Sequence, residues 1–230
     1  MRALLLGSLH GPLTKGQPSY LSNQMPRTYA SKPDYSVRFW TERGMRPRYV
    51  DLLDLVQRKA DYYLAETLGR VEHKIICADS RAIEFNKLGA TFMSVVTSPP
   101  YYGMRTYVPD QWLRNWFVGG HAAVEYRQPK QLDHHSPDEF ARQLSEIWSK
   151  VADACAPGAS MLIRFGGIQD RRVKPKDVLI DSLRRIEKRF RLQTICSAGT
   201  SIRGKRQANQ FQRPLGKPLE ELDYYISIES

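Results

Sequence analysis

Three short stretches carry residue types suited to binding a planar, polar ligand. The first is Ser98-Pro99-Pro100-Tyr101, which follows the apolar run Val95-Val96-Thr97. Two consecutive prolines stiffen the backbone and lack N–H donors, so local carbonyls can face a ligand amine. Ser98 adds a hydroxyl that donates or accepts, and Tyr101 offers a flat face to a planar ring. Together they suit a heterocycle held by its exocyclic NH2 group. The second stretch is Asp79-Ser80, where a carboxylate can accept from an exocyclic amine or a ribose hydroxyl. The third is Arg164-Phe165-Gly166-Gly167, which closes the apolar run Ala159–Phe165. The structural alternative for the first stretch is that its prolines merely end a strand and Tyr101 packs in the core.

These stretches need strands to position them. Lys74–Ala78 and Ala90–Thr97 read as two strands, followed by Ala159–Phe165, 190–197 and 222–228. Between them, apolar spacing of three to four residues predicts helices. One runs from Val50 to about residue 68, and others cover 109–118 and the stretch from Pro175 to about residue 188. Ser136-Pro137-Asp138-Glu139 reads as a capping box that starts a helix through Cys155, ended by Pro157-Gly158. Residues 2–9 read as the end of a helix, stopped by Gly11-Pro12. Strands alternating with helices predict an α/β fold with a mostly parallel sheet. The last two strands have no helix between them and are expected as an antiparallel pair at the sheet edge. In such sheets ligands bind outside the carboxyl ends of the strands, which is where all three stretches fall.

Composition narrows the partners. Thirty-five Lys and Arg against 24 Asp and Glu leave a net charge of +11 over 230 residues. That excess points to a polyanion, most simply nucleic acid. The densest basic run holds Arg203, Lys205, Arg206, Gln207 and Arg213, expected at phosphates, with a solvated loop as the alternative. Residues 1–49 form an irregular, proline-broken, basic and aromatic arm; its Arg27 and Arg38 are types that read base edges or phosphates, and partner docking is the alternative role. Arg105, just past the prolines, could contact DNA or steady the loop. Cys77, Cys155 and Cys196 are read as buried free thiols in a reducing compartment, with no metal-ligand spacing among them. His134-His135 is read as part of a solvated loop, and Trp112, Trp116 and Phe117 as core. No stretch approaches the ~18 apolar residues of a membrane span, so a soluble, intracellular protein is expected.

The stretch "IICADSRAIEF…FMSVVTSPPYYGMRTY" resembles the amino-methylating DNA methyltransferases, whose motif is (Asp/Asn/Ser)-Pro-Pro-(Tyr/Phe/Trp). The Ser-Pro-Pro-Tyr form resembles the N4-cytosine branch; N6-adenine or RNA methylation is the alternative. The resemblance covers roughly residues 71–230 and implies a partial Rossmann-like methyltransferase sheet over 50–230. It implies DNA as partner and S-adenosylmethionine as cofactor, in a cytoplasmic, nucleoid-associated setting in a prokaryote. It also implies a catalytic set of Ser98, Pro99, Pro100 and Tyr101. Cofactor contacts would come from Asp79, Ser80, Thr97, Phe165 and Gly166. A flipped base would stack on Tyr101, with its amine held by Ser98 and the Pro99 carbonyl. Methyl transfer of this kind rests on alignment and needs no covalent intermediate, so neither Cys155 nor Cys196 is given a nucleophilic role, and no metal is expected.

One departure matters. The family's Phe-x-Gly-x-Gly cofactor loop has no match here; Phe165-Gly166-Gly167 has the wrong spacing and lies after the catalytic motif. The expectation is a split enzyme, with a partner chain supplying the first strands and the glycine-rich loop. The alternative is a catalytically inactive DNA-binding or assembly subunit of a modification or defence system.

Overall fold

The computed structural model describes residues 1–11, 16–23, 33–46, 48–66, 69, 71–103, 111–124, 132–167, 173–186, 189–200 and 220–229, with backbone only at 23, 33–37, 199–200 and 220. The chain divides into two compact units, Met1–Ile75 with Thr106–Gln128, and Ile76–Arg105 with Pro129–Ser230. Residues 50–75, expected with the sheet, thus fall in the first unit, outside the one that carries it.

In the first unit, helix α1 (Arg2–Ser8) leads into strand β1 (His10–Gly11), paired in parallel with β2 (Ser22–Asn23). Helices α2 (Pro33–Glu42), α3 (Leu52–Tyr63) and α4 (Trp112–Phe117) complete it. Asp51 caps α3 by accepting from the N–H groups of Leu53 and Asp54 at 2.9 and 3.0 Å, which satisfies donors that have no intrahelical partner. Leu55 and Val56 are buried. Trp116 and Phe117, expected in the core, are 48% and 39% exposed.

The second unit is a mixed α/β layer. Strands β3 (Phe92–Thr97), β4 (Cys155–Phe165), β5 (Phe190–Thr200) and β6 (Glu220–Ile228) form one open sheet in the order β3-β4-β6-β5. β3 and β4 are parallel, and β6 runs antiparallel to both its neighbours. The closing pair is antiparallel and at the sheet edge as expected, but among the described strands only β3 and β4 pair in parallel, so the sheet is mixed and not mostly parallel. The connection through helix α6 (Pro175–Arg184) leaves one strand's width beside β4, and β6 returns into it. Alternation buries Ala159, Met161, Ile163 and Phe165 of β4 with Tyr224, Ile226 and Ile228 of β6 on one face. Helix α5 (Pro137–Ala152) contributes Phe140, Ala141, Leu144, Ile147 and Trp148 to the same core, and α6 contributes Val178, Leu179 and Leu183. The indole N–H of Trp148 donates to Ser182 Oγ at 3.1 Å, tying the two helices together inside the core.

Three local expectations change. Ser136 Oγ accepts from the Glu139 N–H at 3.0 Å, but the Glu139 carboxylate turns to Arg142 and Gln143, so the capping box is half made. The helix stops at Ala152, and β4 begins before Pro157-Gly158 instead of after it. Those two residues lie where the β3 pairing jumps from Phe92↔Cys155 to Ser94↔Ser160, a bulge that accommodates a proline and a glycine at φ 79°. Finally, Lys74–Ala78 forms no strand; Ile75 and Ile76 are 86% and 41% exposed. A strand exists by pairing, and no described strand pairs with it. The cysteines are free, but Cys77 and Cys196 are exposed and only Cys155 is partly buried: Cys77 lies in that unpaired stretch, and Cys196 on the uncovered face of β5.

Candidate functional site

Strands β3 and β4 run side by side until Thr97 meets Ile163, and β4 then continues to Phe165, still paired with β6 through Phe165↔Leu222. Pro99 and Pro100 have no N–H to extend the β3 ladder. β4 therefore overhangs β3 by two residues, about 7 Å, and the chain after the prolines folds into the recess. Ser98 and Pro100 are exposed, Thr97 and Pro99 half-buried, and Tyr101 and Tyr102 buried. The Tyr101 ring stands edge-on to Phe165, 5.8 Å between centroids at 83°. It is 5% exposed, so neither ring face is open to a stacking base in this pose.

The tip of Tyr101 meets Glu221, the second residue of β6. Burial, and after it the neighbouring Glu221 carboxylate, push the phenol's pKa well above the usual range. Gly166 makes room for the pair. A Cβ there would stand 3.1 Å from Glu221 Cγ and 3.2 Å from Tyr101 Cζ. Beside it Arg164 donates twice to Asp223, at 2.7 Å each, which holds the guanidinium firmly protonated.

A second anchor follows. The Gly103 N–H donates to His134 Nδ1 at 3.0 Å, and His134 is buried between Tyr102 and Phe140. His135 is exposed, so only half of the His134-His135 expectation holds. The Asp133 N–H donates to Gln143 Oε1 at 2.9 Å, and Arg81 donates to the same oxygen at 3.2 Å. Arg81 in turn covers both carboxylate oxygens of Asp79. Asp79, Arg81, Gln143, Asp133, His134 and Gly103 thus form one connected chain, linking the acidic stretch to the proline loop. Ser80 is half-buried beside it.

Phe165 and Gly166 lie against Tyr101, at the motif itself. Arg38 is exposed on α2, in the first unit. Arg27, Arg105, Arg203, Lys205, Arg206, Gln207 and Arg213 lie outside the described residues. The ends of the basic connection are fixed, because Thr200 pairs with Glu220, and Glu220 immediately precedes the Glu221 that meets Tyr101. A cavity of about 870 Å³ between α6 and β5, lined by Ile180, Leu183, Phe190 and Leu192, contains none of the candidate residues. Burial raises the Cys155 pKa, which disfavours its thiolate. Among the described residues no group of three or more His, Cys, Asp or Glu could hold a metal ion, and no helix is long and apolar enough to cross a membrane.

Sequence reasoning passes over Glu221 and Gln143 and assigns His134 to a solvated loop. Glu221 alone left a trace: in "EELDYYISI" acidic residues alternate with apolar ones, placing two carboxylates on one side of a strand otherwise built for a core. These residues do not by themselves make up a cofactor pocket, since Arg81 takes the Asp79 carboxylate and the glycine-rich loop is not in the sequence. No protein-family model, curated protein or solved structure matches the chain.

Proposed function

We propose that the chain is the base-binding part of a DNA amino-methyltransferase with a partial Rossmann-like sheet, acting on the exocyclic N4 of cytosine. S-adenosylmethionine supplies the methyl group, and a partner chain carries the glycine-rich loop that holds it. The observation that carries this reading is the proline notch. Ser98 is exposed and Pro99 half-buried at the carboxyl end of a parallel strand, where a hydroxyl and a carbonyl can align an amine. Alignment is the main requirement of direct methyl transfer. The basic connection leaves the sheet between the paired ends of β5 and β6.

Two features of the sheet support a partner chain. Strand β3 is an edge with no charge and no proline from Phe92 to Thr97, whereas the other edge, β5, is interrupted by two register shifts and carries Arg191. Edges meant to stay unpaired are blunted in the second manner. Within the second unit, no described element covers the sheet face away from α5 and α6. Val96, Leu162 and Tyr225 are successive cross-strand neighbours on it, with Val96 77% and Tyr225 42% exposed. Parallel strands ordinarily have both faces covered.

The test combines the purified chain, the polypeptide encoded beside it, labelled S-adenosylmethionine and duplex DNA, followed by nucleoside analysis. N4-methylcytosine is expected, and only with both polypeptides present. N6-methyladenine would move the target. Methylation by this chain alone, or its binding S-adenosylmethionine alone at micromolar concentration, would overturn the division between chains. DNA binding with no methylation would leave an inactive DNA-binding subunit.

A further inference from the structure

We propose that His134 is a positioning residue for the methyl transfer inferred above, on which its catalytic consequence rests. By accepting from the Gly103 N–H it fixes the far end of the loop that carries Ser98 and the Pro99 carbonyl. Three observations converge. The Gly103 N–H reaches His134 Nδ1 at 3.0 Å, across 31 positions of sequence. The prolines have ended the β3 ladder, so the acceptor for this donor has to come from elsewhere. Next, His134 is 7% exposed, between the rings of Tyr102 and Phe140. A phenyl ring would fill such a place without the cost of desolvating a polar one, so what the imidazole contributes is its hydrogen-bonding nitrogens. Finally, α5 sets where that acceptor stands. Gln143, 8% exposed, accepts from the Asp133 N–H at 2.9 Å. Its amide nitrogen donates to Glu139 at 2.7 Å, which commits both ends of the amide.

The loop is stiff where the prolines stand and pliant where the glycine stands. Each proline fixes its own φ and restricts the residue before it. Gly103, at φ 87°, takes a turn that side-chain-bearing residues rarely adopt. Gly103 is thus the joint about which the segment from Ser98 could swing, and it is the joint that His134 ties. The tie holds the Ser98 hydroxyl and the Pro99 carbonyl at one aim toward the amine, where a displacement of about 1 Å can cost about a hundredfold in rate. It acts on the backbone alone. Rotation of the Tyr101 side chain to stack a base requires no movement of Gly103.

With the chain and its completing polypeptide, kcat and the KM values for DNA and S-adenosylmethionine are measured for His134→Phe and His134→Asn. Phenylalanine keeps a ring between Tyr102 and Phe140 and removes the acceptor. Asparagine gives up the ring and offers Oδ1 near the place of Nδ1. The pin predicts that His134→Phe lowers kcat about tenfold or more, with both KM values little changed, and that His134→Asn recovers most of the loss. A role in packing alone predicts the reverse order of the two variants. His134→Phe with wild-type kcat, or His134→Asn as impaired as His134→Phe, would overturn the proposal. If either variant does not fold, Gln143→Met takes its place. It releases the Asp133 N–H without touching the imidazole, so the same fall in kcat is expected, and an unchanged kcat would overturn the proposal as well.

Amide hydrogen exchange in the chain alone separates failure of the pin from failure of the functional reading. The Gly103 amide should exchange at least about tenfold faster in His134→Phe than in the wild type, while amides of α5 and β4 keep their protection. If the wild-type pair transfers no methyl group but this change occurs, the pin stands and the methyltransferase reading falls, together with the catalytic role. If the Gly103 amide is unprotected in the wild type, or equally protected in His134→Phe, the pin falls whatever the activity.

Discussion

Replacing Val96 by lysine separates what this chain needs for its own stability from what it needs to become complete. Val96 is 77% exposed in the middle of β3, so the isolated chain has little apolar burial to lose. The aliphatic stem of lysine can lie along Leu162, and its lower strand preference is a minor cost. The isolated chain should therefore unfold in urea within about 0.5 kcal/mol of wild type. Lysine in place of Met161, 1% exposed on the opposite face, should unfold it outright. If a partner chain completes the sheet as proposed, the row Val96, Leu162 and Tyr225 lies beneath its second layer, and the ammonium would be trapped there. Asp223, the carboxylate on this face nearest to that row, is already bound by Arg164, so the charge would lack a partner, at a cost of about 3 kcal/mol or more. That corresponds to a loss of about a hundredfold in affinity for the completing chain. The assay titrates that chain into a fixed amount of this one and reads methyl transfer. Wild-type concentration dependence in Val96→Lys would refute the covered face, and a destabilised isolated chain would refute the exposed one.

Two further outcomes test the units separately. In the first unit, burial, and secondarily Arg114, lower the His10 pKa to about 4, while its Nδ1 lies 2.8 Å from Ser22 Oγ. Between pH 6.5 and about 4 the unfolded chain binds a proton that the folded one refuses, so stability falls as pH drops through that window and levels off below it. Allowing for the ring's partial exposure, the loss should be about 1–2 kcal/mol; hydrogen exchange of α1 and β1 against pH checks it, and His10→Gln should flatten the profile. In the second unit, Ser182→Ala leaves the buried Trp148 indole N–H without its acceptor, for a loss of about 1–3 kcal/mol in urea unfolding, whereas an unchanged midpoint would mean the bond contributes nothing.

What the sequence made legible was whatever repeats locally. Pro137 after Ser136, the stripe from Phe140 to Trp148 and the alternation from Ala159 to Phe165 each announce their element within a few residues. The failures have a common physical origin in pairing at a distance. Lys74–Ala78 has strand composition but no described partner, and nothing in the residues of β6 says that β5 stands one position further out. The site divides in the same way. Ser98–Tyr101 is visible as a motif, while its supports come from Gly103 with His134, from Tyr101 with Glu221 and from Arg81 with Gln143. Each joins residues 31 to 120 positions apart, and no local spacing connects them.

The prolines explain why those supports converge where they do. Without them β3 could continue its ladder beside Arg164 and Phe165, and the recess at the sheet end would be filled by backbone. Ending β3 two residues early leaves Phe165 bare on one side, and an aromatic surface of that kind must be covered by something. Tyr101 is the first aromatic residue able to turn back onto it, and in doing so it carries a hydroxyl to the start of β6. A carboxylate lies beside that tip, with a glycine on the intervening strand, and the ring is packed against Phe165. The interruption that exposes Ser98 and the Pro99 carbonyl is thus the same interruption that creates the socket holding them. Their orientation is a property of the sheet end, not of a free loop, and it can already be in place before a partner or a base arrives.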